Sequence, residues 1–242
     1  SGLENRSSNP LFENQFPHDY QLLAEEFIEG DEYSCDVIIE KSQASLIRIS
    51  RKIKSVSLPF GTIHGYELPV QLPKSCGIKK IEDVLFQGAT SLGIRRGICM
   101  VDFIMRKDQP VLIEITPRPG GDCLPFLLKE AGNFDILKAS LDFAERMPVL
   151  INGGLNFSHR IGVRIHAPMG GTLKSIGISQ LSSNPRIKQI RLFRKPGHRV
   201  TMPPEDYDSW YMGHVIISSD NKTNPEADCH LVSKLVSIEI EA

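Results

Sequence analysis

Val101-Asp102-Phe103-Ile104, followed by Val111-Leu112-Ile113-Glu114-Ile115-Thr116-Pro117-Arg118-Pro119-Gly120-Gly121, decides how this chain is read. The two apolar runs, 97–106 and 110–116, predict strands joined by the turn Lys107-Asp108-Gln109. Each carries one carboxylate, and the hairpin should bring Asp102 and Glu114 to face each other. Two acidic oxygen donors in this arrangement suit Mg²⁺, which is usually held by one or two carboxylates plus phosphate oxygens. Arg118, four residues past the second acid, can neutralise a phosphoryl or carboxylate group beside the metal. The prolines stiffen the loop, and Gly120 and Gly121 let backbone amides approach an anion. A carboxylate inside an apolar strand is costly unless paired or metal-bound. The alternative is that both acids sit on a wet face or pair with Arg106 or Arg118.

Working outward, Leu22 to Ile28 is a short strand candidate and Glu29-Gly30-Asp31 a turn. Runs 33–40 and 44–53 predict a β-hairpin, and 54–77, punctuated by Pro59, Gly61, Gly65, Pro69, Pro73 and Gly77, predicts loop. Ile81, Val84, Leu85, Ala89 and Leu92 recur at helical spacing, so 79–93 should be an amphipathic helix. Helices are expected over 123–131, 134–147 and 224–236, the last carrying Ala227, Leu231 and Leu235 on one face. Strands are expected over 159–167, 172–176, 187–194 and 211–219. Asn152-Gly153-Gly154 is the expected boundary. Antiparallel hairpins interspersed with helices imply an α+β fold.

Composition narrows the function. Lys plus Arg number 28 against 29 for Asp plus Glu, so the basic excess of a nucleic-acid binder is missing. No apolar run reaches the roughly 18 residues of a membrane span. Five scattered cysteines without CxxC spacing argue against a disulfide framework or zinc site and for a reducing, cytoplasmic setting. Gly-x-Ser-x-Gly is absent, so Ser-His-Asp catalysis has no support. In Glu25-Glu26-Phe27-Ile28-Glu29-Gly30-Asp31-Glu32, a strand edge could read adenine and Glu32 could accept from ribose hydroxyls. A surface acidic hairpin is the other reading of that segment.

These three segments resemble the second half of an ATP-grasp ligase. The resemblance implies adenine binding around Glu25, Glu26, Phe27 and Ile28, ribose binding at Glu32, and one or two Mg²⁺ ions on Asp102, Glu114 and Thr116. Where Thr116 stands the family usually has asparagine, and a hydroxyl is a weaker ligand than an amide oxygen. Arg118, Gly120 and Gly121 would form the phosphoryl-binding loop, and the arginine-to-glycine spacing is most similar to L-amino-acid ligases, where these groups hold an acyl-phosphate. Residues 159–242 resemble the closing domain of that branch and, more distantly, of biotin carboxylases. The implied division is 1–53, part of the ATP-grasp lid; 54–152, the subdomain with the metal and phosphate site; and 153–242, a small β-rich domain. The implied activity joins a small carboxylate substrate such as an amino acid to an amine at the expense of ATP. A bicarbonate-using carboxylase or carbamoyl-phosphate-type enzyme, or an inactive fragment acting as an assembly module, are the alternatives. The family's glycine-rich loop and paired upstream lysines are missing, and the chain opens on Ser1. It is therefore expected to be a fragment of a protein about 150–200 residues longer, with exposed strand edges that favour a homodimer.

Overall fold

The central strands are too apolar to be wetted on either face, and that dictates a sheet covered on both sides. The computed structural model describes residues 24–55, 58, 61–149, 156–219 and 224–242. The elements run β1 (Asp31–Glu40), β2 (Gln43–Lys54), β3 (Ile63–Leu68), α1 (Ile78–Ser91), β4 (Gly97–Arg106), β5 (Gln109–Thr116), α2 (Leu124–Gly132) and α3 (Ile136–Ala144). They continue with β6 (Arg160–His166), β7 (Gly171–Gly177), α4 (Ser179–Ser182), β8 (Ile187–Leu192), β9 (Arg199–Val200), β10 (Tyr211–Ser218), α5 (Pro225–Leu235) and β11 (Ser237–Glu241). An eight-stranded antiparallel sheet has the order β5-β4-β1-β2-β3-β6-β10-β8, and β11-β7-β9 form a small second sheet. The expected α+β class holds. Through β3, the large sheet passes across all three expected segments, and β5 ends it as an edge strand.

Alternation sorts β1 between two environments. Tyr33, Cys35, Val37 and Ile39 pack on one face against Ile81, Leu85 and Ala89 of α1. On the other face Ile38 joins Leu124, Leu127 and Leu128 of α2. Each fully buried leucine contributes about 1.5–3 kcal/mol, which holds α2 down although Cys123 gives it no side-chain cap. A third cluster packs α5 through Cys229 and Val232 against Val163, Val215 and Ile217 of β6 and β10.

Several sequence expectations are corrected here. Residues 24–29 form no strand, and pairing starts at Asp31. Gly30, at φ +150°, crosses β4 so closely that a Cβ there would lie 2.3 Å from the Met105 carbonyl oxygen. The rest of that strand candidate, Leu22 and Leu23, lies outside the described residues, as do 1–20 and 152–154. Segment 54–77 contains β3, because Gly65 marks a close approach to β6 rather than a turn; a Cβ on it would lie 2.8 Å from the Gly162 carbonyl oxygen. Leu92 is 63% exposed because α1 ends at Ser91. In α5 Leu231 and Leu235 pack half-buried against the core, but Ala227 is exposed and the fully buried positions are Asp228, Cys229 and Val232, with Asp228 satisfied by Arg186 and Ser219.

One ionic contact fixes the loop that follows β5. Asp36 and Arg48 face each other across β1 and β2, both essentially without solvent contact, with Nε to Oδ2 at 2.5 Å. Arg48 also donates to the Ser34 carbonyl at 3.0 Å, and the Gly120 amide donates to Asp36 Oδ1 at 2.7 Å. Removing one partner of a buried pair strands the other charge and costs about 3–5 kcal/mol. Asp36→Asn should therefore lower the unfolding free energy of this chain by about that much in urea titration; a loss below about 1 kcal/mol would mean the pair is not what holds the loop.

His214 on β10 provides a second check. It is fully buried, its ring 5.1 Å from that of Phe126 on α2. Burial, with Arg191 adding to it and Asp122 opposing, lowers its pKa from 6.5 to about 4. Between those values the unfolded chain binds more protons than the folded one, so stability is whole above about pH 6.5 and declines as pH falls toward 4. From pH 7 to pH 5 His214 accounts for about 1–2 kcal/mol of lost stability, and His214→Gln should remove that share of the decline measured by urea unfolding, while the share of His166, whose pKa burial lowers to about 3, remains.

Candidate active site

The face of β1, β2, β4 and β5 opposite α1 carries the polar residues. Register places Ser50 beside Ser34, Ser34 beside Asp102, and Asp102 beside Glu114. Directly opposed residues in antiparallel strands share a face, so these four form one row across the sheet. Thr116 lies one row further along, opposite Met100. The pairing of Asp102 with Glu114 depends on a bulge. From Arg106 to Phe103 the two strands keep one register; at Asp102 it shifts, and Ile113 is left as the extra residue. With no bulge, Ile113 would face Asp102 and Glu114 would fall opposite Val101, on the buried face. Bulges re-aim side chains in this way beside functional sites.

The charges in this row are not balanced by protein alone. Lys52, nearly buried, reaches Glu32 Oε1 at 2.5 Å and Asp102 Oδ2 at 2.6 Å. Burial disfavours its ammonium, but Asp102 and Glu32 outweigh that and raise its pKa. Burial likewise opposes ionisation of Glu32, and Lys52 with Lys54 (2.8 Å from Oε2) outweighs it and lowers the pKa. Glu114 is exposed; it accepts from the Thr116 hydroxyl at 2.7 Å, and no cation pairs with it among the described residues. Arg106 instead pairs with Glu26 at 2.9 Å, and Arg118 donates to the Pro119 carbonyl at 2.9 Å. Opposed side chains lie about 5 Å apart at Cβ, and at an effective dielectric near 20 two like charges at that range repel by about 3 kcal/mol. A divalent cation would reverse the sign of that term.

Unsatisfied polar atoms collect at the same place. Asp102 Oδ1, Ser34 Oγ, Ser50 Oγ and Arg48 Nη2 are all buried without a hydrogen-bond partner among the described residues. Buried polar atoms are normally paired, so this row fits an additional oxygen-binding group. Asp102 Oδ1 and Glu114 are the donors available to Mg²⁺, with the Thr116 oxygen beside them. No cluster of three or more His, Cys, Asp or Glu side chains suited to a metal occurs among the described residues. Two carboxylates with the remaining positions left to phosphate and water is the usual Mg²⁺ arrangement.

The loop after β5 is held from three sides. The Met100 amide donates to the Arg118 carbonyl at 2.8 Å, and the Gly120 amide is taken by Asp36. Of the two glycine amides expected to cradle an anion, Gly120 is therefore already engaged, while Gly121 is exposed next to the Arg118 guanidinium. A Cβ on Gly120 would lie 2.5 Å from Arg48 Nη2, so only glycine fits over the pair. Asp122, in the left-handed region at φ +58°, then anchors the loop to the far half of the sheet. Its carboxylate meets Arg164 Nε at 2.7 Å and accepts from the Tyr211 hydroxyl.

Residues 25–28 lie irregularly at the end of β4, with Phe27 81% exposed and Glu26 tied to Arg106. Both oxygens of Glu32 are occupied by lysines, so ribose hydroxyls would have to share them. Sequence reading missed Lys52, Asp36, Arg48 and Asp122. For Asp36 and Arg48 the signal was present: single charged residues inside apolar strands, the same argument that singled out Glu114; Lys52 stands in the charged run Arg51-Lys52-Ile53-Lys54 and carries no such signal.

Comparison with known proteins agrees with this fold. The ATP-grasp domain matches residues 2–122, half of the chain. A D-alanine–D-alanine ligase of Desulforamulus reducens is 29% identical over 146 residues, 57% of this chain and 44% of that protein. The L-amino acid ligase of Bacillus licheniformis has a TM-score of 0.75 at 20% identity, over 89% of this chain and 53% of that one. Phosphoribosylglycinamide synthetase of Anaerococcus prevotii gives 0.72 at 18% identity, over 89% and 55%. The chain spans about half the length of these proteins. With its antiparallel sheet matching that fold and half its length matched by the domain, the chain belongs to the ATP-grasp family.

Proposed function

We propose that this chain forms the metal- and phosphate-binding half of an ATP-dependent carboxylate–amine ligase. The observation that carries the reading is the row Ser34, Asp102, Glu114 with its unpaired buried oxygens beside the Arg118 loop. Asp102 and Glu114 would hold Mg²⁺, with Thr116 available as a third oxygen. Bound there, the ion would offset the charge of the triphosphate that otherwise repels an incoming carboxylate. Lys52 holds Asp102 by its other oxygen, and Oδ1 is buried without a hydrogen-bond partner among the described residues. The exposed Phe27, with Glu25, Glu26 and Ile28, offers the adenine a surface at the end of β4, and Glu32 the ribose.

In the proposed reaction the γ-phosphoryl passes from ATP to an oxygen of the substrate carboxylate, and ADP leaves. An amine then attacks the acyl carbon; phosphate departs with the C–O bond, and the nitrogen loses a proton to give the amide. Arg118 would bind the phosphoryl group in both steps, and the Gly121 amide would stabilise the developing oxyanion. No side chain of this chain forms a covalent bond; positioning and charge neutralisation are its contributions. An amino acid is favoured over bicarbonate as the carboxylate because the curated relative named above is a D-alanine–D-alanine ligase. That support is by analogy.

Two measurements test this. In the longer protein carrying the chain, Glu114→Ala or Arg118→Ala should cut ADP release at least about 100-fold; near-normal turnover in either would refute the assigned role. Amino acids should drive that release and bicarbonate should not. In the chain by itself, Mg-ATP should bind measurably by calorimetry and Glu114→Ala should weaken it about tenfold or more; binding unchanged by the substitution would remove the metal from Glu114.

A further inference from the structure

The reverse face of the large sheet carries a second row, one residue along from Ser34, Asp102 and Glu114. Register sets Phe103 beside Tyr33, Tyr33 beside Arg51, and Arg51 beside Glu67, across β4, β1, β2 and β3. Successive side chains of a strand point to opposite faces, so this row turns away from the Arg118 loop, to the side that α1 covers. It borders a cavity of about 700 Å³. That volume is within the range of about 300–1,000 Å³ typical of small-molecule sites. Asp31, Tyr33, Arg51, Glu67 and His159 supply its polar lining. Pro69, Val70 and Phe157 form an apolar wall.

Charge in this lining is unbalanced. Arg51 gives Nε to Glu67 at 2.8 Å and Nη1 to Glu226 of α5 at 3.1 Å, so two carboxylates already hold its guanidinium. His159 Nε2 lies 3.1 Å from the other oxygen of Glu67. Asp31, exposed at the start of β1, has no cation beside it among the described residues. Asp31, Glu67 and Glu226 therefore outnumber Arg51 and His159 even when the imidazole is protonated. Tyr33 is a second, independent sign. It is 4% exposed and its ring stacks on that of Phe103 at 5.2 Å. A buried phenol normally finds a hydrogen-bond partner, yet this hydroxyl has none among the described residues. Its oxygen is not sealed off from solvent, and Tyr33 lines the cavity.

A metal ion does not answer this arrangement, because no group of three or more His, Cys, Asp or Glu side chains is placed to hold one among the described residues. An anion finds no free cation, since Arg51 is engaged by Glu67 and Glu226. A cation with an apolar body matches both walls. Its ammonium would donate to the Asp31 carboxylate and the Tyr33 oxygen, and a hydrogen bond to an ionised acceptor is about twice as strong as a neutral one. Its body would lie on Pro69, Val70 and Phe157. We propose that this cavity binds a small organic cation, a primary ammonium on an apolar body, received by Asp31 and the Tyr33 hydroxyl. The proposal stands apart from the nucleotide reading and requires neither ATP nor Mg²⁺. The sheet separates this cation from the Arg118 loop, so it is not the amine of the proposed reaction.

Benzylamine, an ammonium at pH 7, titrated into the chain with no nucleotide present and followed by NMR of the Val70 methyl and Tyr33 ring signals, tests it. Saturable shifts of both signals are expected. Benzyl alcohol, of nearly the same shape without the charge, should bind at least about tenfold more weakly. Asp31→Asn should weaken benzylamine at least about tenfold. Tyr33→Phe keeps the ring on Phe103 and should weaken it about threefold or more. The contrast between benzylamine and benzyl alcohol in the unsubstituted chain tests the charge requirement without any variant. The proposal is overturned by no saturation up to about 10 mM, by equal binding of benzyl alcohol, or by undiminished binding to Asp31→Asn. Shifts confined to residues outside the cavity would overturn it as well.

Discussion

Asp36 and Arg48 form the contact on which the rest of the functional face depends. Two opposite charges removed from water gain little by themselves, because desolvation consumes most of the Coulombic attraction. Their value here is positional. Asp36 has a second oxygen, and it receives the Gly120 amide; Arg48 has a second nitrogen, and it holds the backbone of Ser34. The loop carrying Arg118 is thereby tied to the middle of the sheet rather than to its edge. Glycine at 120 follows from the same geometry, since any side chain would collide with the guanidinium.

Both strand pairs that build this face use one device. In β2 the extra residue Ile47 shifts the register so that Arg48, and not Ile47, faces Asp36. In β5 the extra residue Ile113 does the same for Glu114 opposite Asp102. A one-residue shift moves a side chain to the other face of a sheet. Without these two bulges Arg48 would fall opposite Cys35 and Glu114 opposite Val101, both against the apolar helix α1. The bulges gather the charge onto one side, and Lys52 then balances Asp102 while Glu114 has no cation beside it among the described residues. That residual charge is what makes the face suited to a divalent cation.

The far half of the sheet joins the same system through Asp122. Its carboxylate links the loop to Arg164 on β6 and Tyr211 on β10, so the loop after β5 and the far half of the sheet share one ion pair. His64 of β3, His166 of β6 and His230 of α5 converge there on one cavity.

Much of the architecture was legible because period and punctuation agree with it. The hairpins around Lys41-Ser42 and Lys107-Asp108, helix α1 and strands β6, β7, β8 and β10 lie within a few residues of their expected places, whereas β9 and β11 were not expected. The misreadings share a cause. Gly65 and Gly30 are glycines of close approach, and in a sequence they look the same as glycines of turns. Asp228 reads as a wet-side residue of α5 because its partner Arg186 is distant in sequence. From sequence alone come the hairpin that brings two acids together, the arginine four residues beyond and the family resemblance, since local spacing and residue chemistry suffice for these. Which face the acids share, which glycine amide remains available and which lysine stands between the carboxylates were decided by the tertiary structure, because register bulges and buried ion pairs depend on residues distant along the chain.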